Sequence, residues 1–83
     1  MPEESATTRV AVEQQVQEVS AWYSEQILRE RRVGTPDAER VKALRDGLAA
    51  CLADQEALQD ADEEQLADLS ARYAARLKEL EGQ

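Results

Sequence analysis

The chain has 83 residues, a formal net charge of −8 and a 42% hydrophobic content that includes no Phe, one Trp and two Tyr. This length allows one domain with a thin core, built here from Leu, Val and Ala, a composition that favours helices. The acidic balance argues against nucleic acid as a partner, because neutralising phosphates needs Lys and Arg that dominate their surroundings.

Met1 is followed by Pro-Glu-Glu-Ser without a basic or apolar run, so neither a secretory leader nor a membrane span is expected. The single cysteine, Cys51, excludes an internal disulfide framework and fits a reducing compartment. A cytoplasmic protein is expected. The absence of Asn and His, the excess of Arg over Lys and the abundance of Ala resemble the codon drift of a GC-rich bacterial genome.

Residues 1–6 read as a disordered N-terminus and residues 7–83 as a single helical domain. Val12, Val16, Val19, Tyr23 and Ile27 then fall on one stripe at about 100° per residue, which predicts a first helix over about residues 7–33. A helix stop and a helix start follow back to back between Arg29 and Glu39. Arg29, Arg31 and Arg32 occupy a last turn, and Gly34 suits a left-handed cap. Thr35 is the expected cap of the next helix, with Pro36 in its first position and Asp37 and Glu39 just inside. Such a turn folds the apolar stripes on either side onto each other.

The second stripe is Val41, Leu44, Leu48 and Leu52, with Cys51 beside it, and predicts a helix over 36–58. The third is Leu66, Leu69, Tyr73, Leu77 and Leu80, and predicts a helix over 62–81. Between them Gln55, Gln59 and Asp62 occupy positions that an uninterrupted stripe would bury, and Asp60 and Asp62 favour caps over helix interiors. A break near residues 59–62 is expected, with Asp60 as cap and Glu63 three residues on. A break gives an antiparallel three-helix bundle, a helical hairpin extended by one helix with coiled-coil-like packing. A continuous helix would instead need a second chain to cover its far half. Gly47 lies inside the second helix, where it costs about 1 kcal/mol relative to Ala. A reversal at 34–35 places it opposite Trp22, so either the missing side chain makes room for the indole or the glycine is incidental on a solvated face with Trp22 half exposed.

Chemistry is sparse. With no His, acid and base work would fall to carboxylates, Lys or Tyr, and nothing has the spacing of a catalytic constellation or a phosphate loop. No catalytic residue, metal or cofactor is expected. Asp60, Asp62 and Glu64 match the start of a calcium loop, but Gln65 stands where glycine is needed and Ala71 where the bidentate Glu belongs. Cys51 reads as a small packed hydrophobe.

What remains is contact with other macromolecules. Trp22, Leu28 and Val33 lie off the first stripe and are candidates for partner binding. Asp60, Asp62, Glu63 and Glu64 belong to a run of seven acids without a base between Asp54 and Asp68, whereas Arg29 to Arg45 holds six bases. The favoured expectation is a protein–protein interaction module that forms a homodimer and binds neither nucleic acid nor membrane. The alternative is a regulatory inhibitor of the anti-sigma, antitoxin or DNA-mimic type, which binds a basic partner through the acidic 54–68 segment.

Overall fold

A computed structural model describes the backbone of residues 2–82 and the side chains of residues 8–82. It contains three helices: α1 (Pro2–Arg32), α2 (Ala38–Ala57) and α3 (Glu63–Glu81), with a 3-10 turn over Leu58–Asp60 between the last two. The backbone of α1 is helical from Pro2, ahead of the expected start near residue 7. The side chains of residues 1–6, which the sequence reads as disordered, lie outside those described. The chain is an all-α three-helix bundle, and α1 packs against both α2 and α3.

The first reversal forms where expected, but by different means. No glycine among the described residues has a positive φ, so Gly34 is not a left-handed cap. Asp37, not Thr35, caps α2, and its Oδ1 accepts from the backbone N–H of Glu39 at 3.0 Å and of Arg40 at 3.3 Å. Pro36 therefore precedes the cap instead of opening the helix. A carboxylate is at least as good an N-cap as a threonine hydroxyl, and its charge also complements the helix dipole. Glu30 reinforces the choice from the end of α1, accepting from Asp37 N at 3.3 Å and from Arg40 Nε at 3.2 Å.

The second break also forms. The side chain of Asp62 accepts from Gln65 N and that of Gln65 accepts from Asp62 N, both at 2.8 Å, which is a capping box. Asp62 thus replaces Asp60 as the cap. The reason lies in the turn itself: Leu58 and Ala61 are both buried, so the chain stays folded inward through residue 61 before α3 begins. At its other end α3 stops at Gly82, whose N–H reaches Glu79 O at 3.2 Å.

The core consists of Val12, Val16, Val19 and Ile27 from α1, Leu44 and Cys51 from α2, Leu58 and Ala61 from the turn, and Leu66, Leu69 and Tyr73 from α3. Tyr23, Leu77 and Leu80 pack partly buried against it. The first and third stripes match the expectation. The second does not. Leu52 is 53% exposed and Val41 and Leu48 are only half-buried, because α2 faces both α1 and α3. Its buried line therefore runs Leu44, Cys51, Leu58 at a spacing of seven, the repeat that keeps one seam inward.

Gly47 makes room for an aromatic ring, but the ring is Tyr23 and not Trp22. A Cβ at Gly47 would stand 2.5 Å from both Cε1 and Cζ of Tyr23 and 2.9 Å from its hydroxyl. Trp22 is one residue further round α1, half-buried, and meets the Tyr23 ring edge-on at a centroid distance of 5.2 Å. Edge-to-face contact is a favoured geometry for two such rings.

Candidate interaction surfaces

Where the three helices meet at mid-height, Tyr73 of α3 donates its hydroxyl to Asp54 Oδ2 of α2 at 2.6 Å. Burial first, then the bond to Asp54, then the neighbouring Cys51 push the phenol well above its ordinary value. It therefore remains a protonated donor. A group whose pKa is raised by folding stabilises fully below its unfolded value, about 10 for tyrosine, and loses that contribution as pH climbs towards the folded value. Tyr73→Phe is expected to lower stability at neutral pH by about 1–2 kcal/mol, the worth of one bond to a carboxylate. The variant should also lose less stability than the parent when melts are repeated above the ordinary phenol pKa. Equal alkaline losses in the two proteins would contradict this.

Beyond that bond, α2, the 3-10 turn and α3 enclose an open groove of about 620 Å³. Ala57, Ala61 and Leu69 contribute apolar lining, Asp54, Asp60, Glu64 and Asp68 line it with carboxylates, and Arg72 is the only basic residue among the described residues that line it. Two of these acids, Asp60 and Glu64, were expected as partner-binding residues, and both are exposed. Asp62 is committed to capping α3. Glu63 opens the first turn of α3 and does not line the groove. Asp54 and Asp68 join the site only through packing. Their signal in the sequence was membership of the acidic run; nothing in the pattern separated them from Asp62 or Glu63.

The apolar candidates are scattered. Leu28 and Val33 are exposed at 52% and 51%, and Val10 at 54%. Leu28 lies about 120° round α1 from Trp22, and Val33 lies beyond the last residue of that helix. The three do not form one patch. A different line was missed: Val41, Leu48 and Leu52 follow one another along α2 outside the core.

A basic hollow of about 530 Å³ lies at the opposite end, lined by Arg31, Pro36, Ala38, Val41, Lys42, Arg45 and Asp46. The two ends differ in charge, as the segment balance suggests. Among the described residues no helix is long and apolar enough to cross a membrane, and no three His, Cys, Asp or Glu side chains are grouped to hold a metal.

The fold defines a class, the short all-α bundle, without narrowing it further. Compared with protein-family models, with curated proteins and with solved structures, the chain matches none.

Proposed function

We propose that this chain is a helical protein–protein interaction module that self-associates as a homodimer and acts by contact, without catalysis and without a cofactor. The observation that carries the reading is the distribution of side chains. No polar or charged residue is buried among the described residues, while Val10, Leu28, Val33 and Leu52 are each more than half exposed. An interior of aliphatic groups with one cysteine and one tyrosine serves to hold the bundle, and the surface is the part left to do the work. Of the exposed side chains, Leu52 continues the apolar line of Val41 and Leu48 along α2, and a contiguous apolar line is a feature of surfaces that meet other proteins. The buried free thiol of Cys51 is consistent with a cytoplasmic setting.

The test is sedimentation equilibrium of the purified protein from low to high micromolar concentration, at low and at high salt. A dimer that persists at high salt is the expected result, since apolar burial is insensitive to screening. A monomer throughout the range would overturn self-association.

A second reading has its own observation, the carboxylate-lined groove of Asp54, Asp60, Glu64 and Asp68 with Ala57, Ala61 and Leu69. It makes the chain an inhibitor of a basic partner, in the manner of an anti-sigma factor, an antitoxin or a DNA mimic. Its mark would be partner binding that collapses between low and moderate ionic strength.

A further inference from the structure

Resting on the reading of the chain as a self-associating module, we propose that the dimer forms by antiparallel packing of α2 against α2 of a second copy, about a two-fold axis crossing between Ala50 and Cys51. At about 100° per residue, Val41, Arg45, Leu48, Leu52 and Glu56 fall within about 80° of arc on α2. This is an apolar line with a base towards its start and an acid at its end. Leu52 stands about 160° round the helix from Asp54, and Asp54 is bonded to Tyr73 of α3. The line therefore points away from α3, and along it Leu52 is 53% exposed while Val41 and Leu48 are half-buried. The alanines beside it, Ala49 and Ala53, are exposed as well, and small side chains at such positions let two helices approach closely.

Charge decides the occupant and its direction. Lys42, Arg40, Arg29, Arg72 and Arg76 all have acidic partners within the chain. Arg45 and Glu56 on the α2 line make no ion pair among the described residues. In a two-fold interface a residue that meets another is met by it in return. An axis between Ala50 and Cys51 brings Arg45 level with Glu56 of the second copy, and Glu56 level with its Arg45. Leu48 and Leu52 pack between the two pairs. Parallel packing would instead set Arg45 beside Arg45 and Glu56 beside Glu56. The surface is thus complementary to itself in the antiparallel sense.

The experiment uses charge reversal in the full chain, with circular dichroism to check that the helices persist, since both side chains are exposed in the monomer. Arg45→Glu and Glu56→Arg, tested singly, should each weaken the homodimer about tenfold or more, because each turns two attractive pairs into two repulsive ones. Mixing the two single variants should restore a dimer, now a heterodimer attractive at both sites. The doubly reversed chain should self-associate about as well as the parent. Leu52→Glu should give monomer.

Two results would overturn the proposed interface while leaving self-association standing: single variants that dimerise like the parent, or single variants that dissociate but do not recover on mixing. The first places the dimer on another face, and the second assigns the two charges to another arrangement. A parent protein that is monomeric at every concentration would remove the self-association reading along with this interface.

Discussion

Replacing Arg9 by alanine is expected to lower stability by about 2–3 kcal/mol, on the scale of hydrogen bonds made by a charged donor. The guanidinium of Arg9 reaches from α1 across to the junction of α2 and α3, where Nη1 donates to Leu58 O at 2.8 Å and Nη2 to Ala61 O at 3.0 Å. Among the described residues, Leu58 O otherwise accepts only the 3.3 Å bond from Ala61 N that closes the 3-10 turn, and Ala61 O sits where one helix has ended and the next has not begun. A fork of planar N–H groups serves both at once, and its positive charge is well placed at the negative end of α2. In a bundle of this size the loss should lower the melting temperature by about 8–24 °C, taking about 4–8 °C per kcal/mol. Arg9→Lys should recover only part of it, because a single ammonium lacks the fork. Amide exchange should accelerate at residues 61–66 more than at the α1–α2 reversal. An unchanged melting temperature would show that water serves the two carbonyls as well as Arg9 does.

Arg9 also marks where the reading of the sequence stops. The three helices and both breaks were legible because they are written locally. Val12, Val16, Val19 and Ile27 repeat at helical spacing, and the polar interruption at Gln55, Gln59 and Asp62 has a place in only one of the two architectures. The caps were legible as a class but slipped by two residues, from Thr35 to Asp37 and from Asp60 to Asp62, since several adjacent side chains can serve and packing makes the choice. Contacts that join distant parts of the chain left no local trace. Arg9 is 49 and 52 positions from the carbonyls it binds. Tyr73 finds Asp54 only because α3 returns alongside α2. The face of α2 was misread for the same reason. A helix with one neighbour would bury Val41, Leu44, Leu48 and Leu52 together, but one with two neighbours turns Leu44, Cys51 and Leu58 inward and leaves Leu48 and Leu52 towards the edge. That displacement is what exposes the apolar line proposed for the dimer. The partner-binding residues named from α1, Trp22, Leu28 and Val33, were chosen for lying off the core stripe. That criterion finds side chains without a place in the core, and a shared patch depends on their angles around the helix.

Gly47 carries the other large expected effect. Gly47→Leu should destabilise the bundle by about 2 kcal/mol or more, even though removing a mid-helix glycine recovers up to about 1 kcal/mol of helix propensity. The propensity gain loses because the first added atom already lies 2.5 Å from two ring carbons of Tyr23, far inside contact distance, and the rest of the leucine must go the same way. Tyr23 packs partly buried against the core and meets Trp22 edge-on, so the ring can withdraw only by giving up these contacts. Gly47→Ala should fall between the parent and the leucine variant, with the clash of Cβ offset by the better helix former. The identity of the ring is tested by a double-mutant cycle. Tyr23→Ala costs stability by emptying part of the seam, but combined with Gly47→Leu it should cost much less than the two changes summed, a coupling of about 1–2 kcal/mol between touching residues. Trp22→Ala in the same cycle should couple more weakly, because it reaches Gly47 only through Tyr23. Strict additivity with Tyr23 would mean that the glycine is incidental and that α1 and α2 approach closely for some other reason. A strong coupling to Trp22 instead would place the indole at the seam, as the position of the reversal alone suggests.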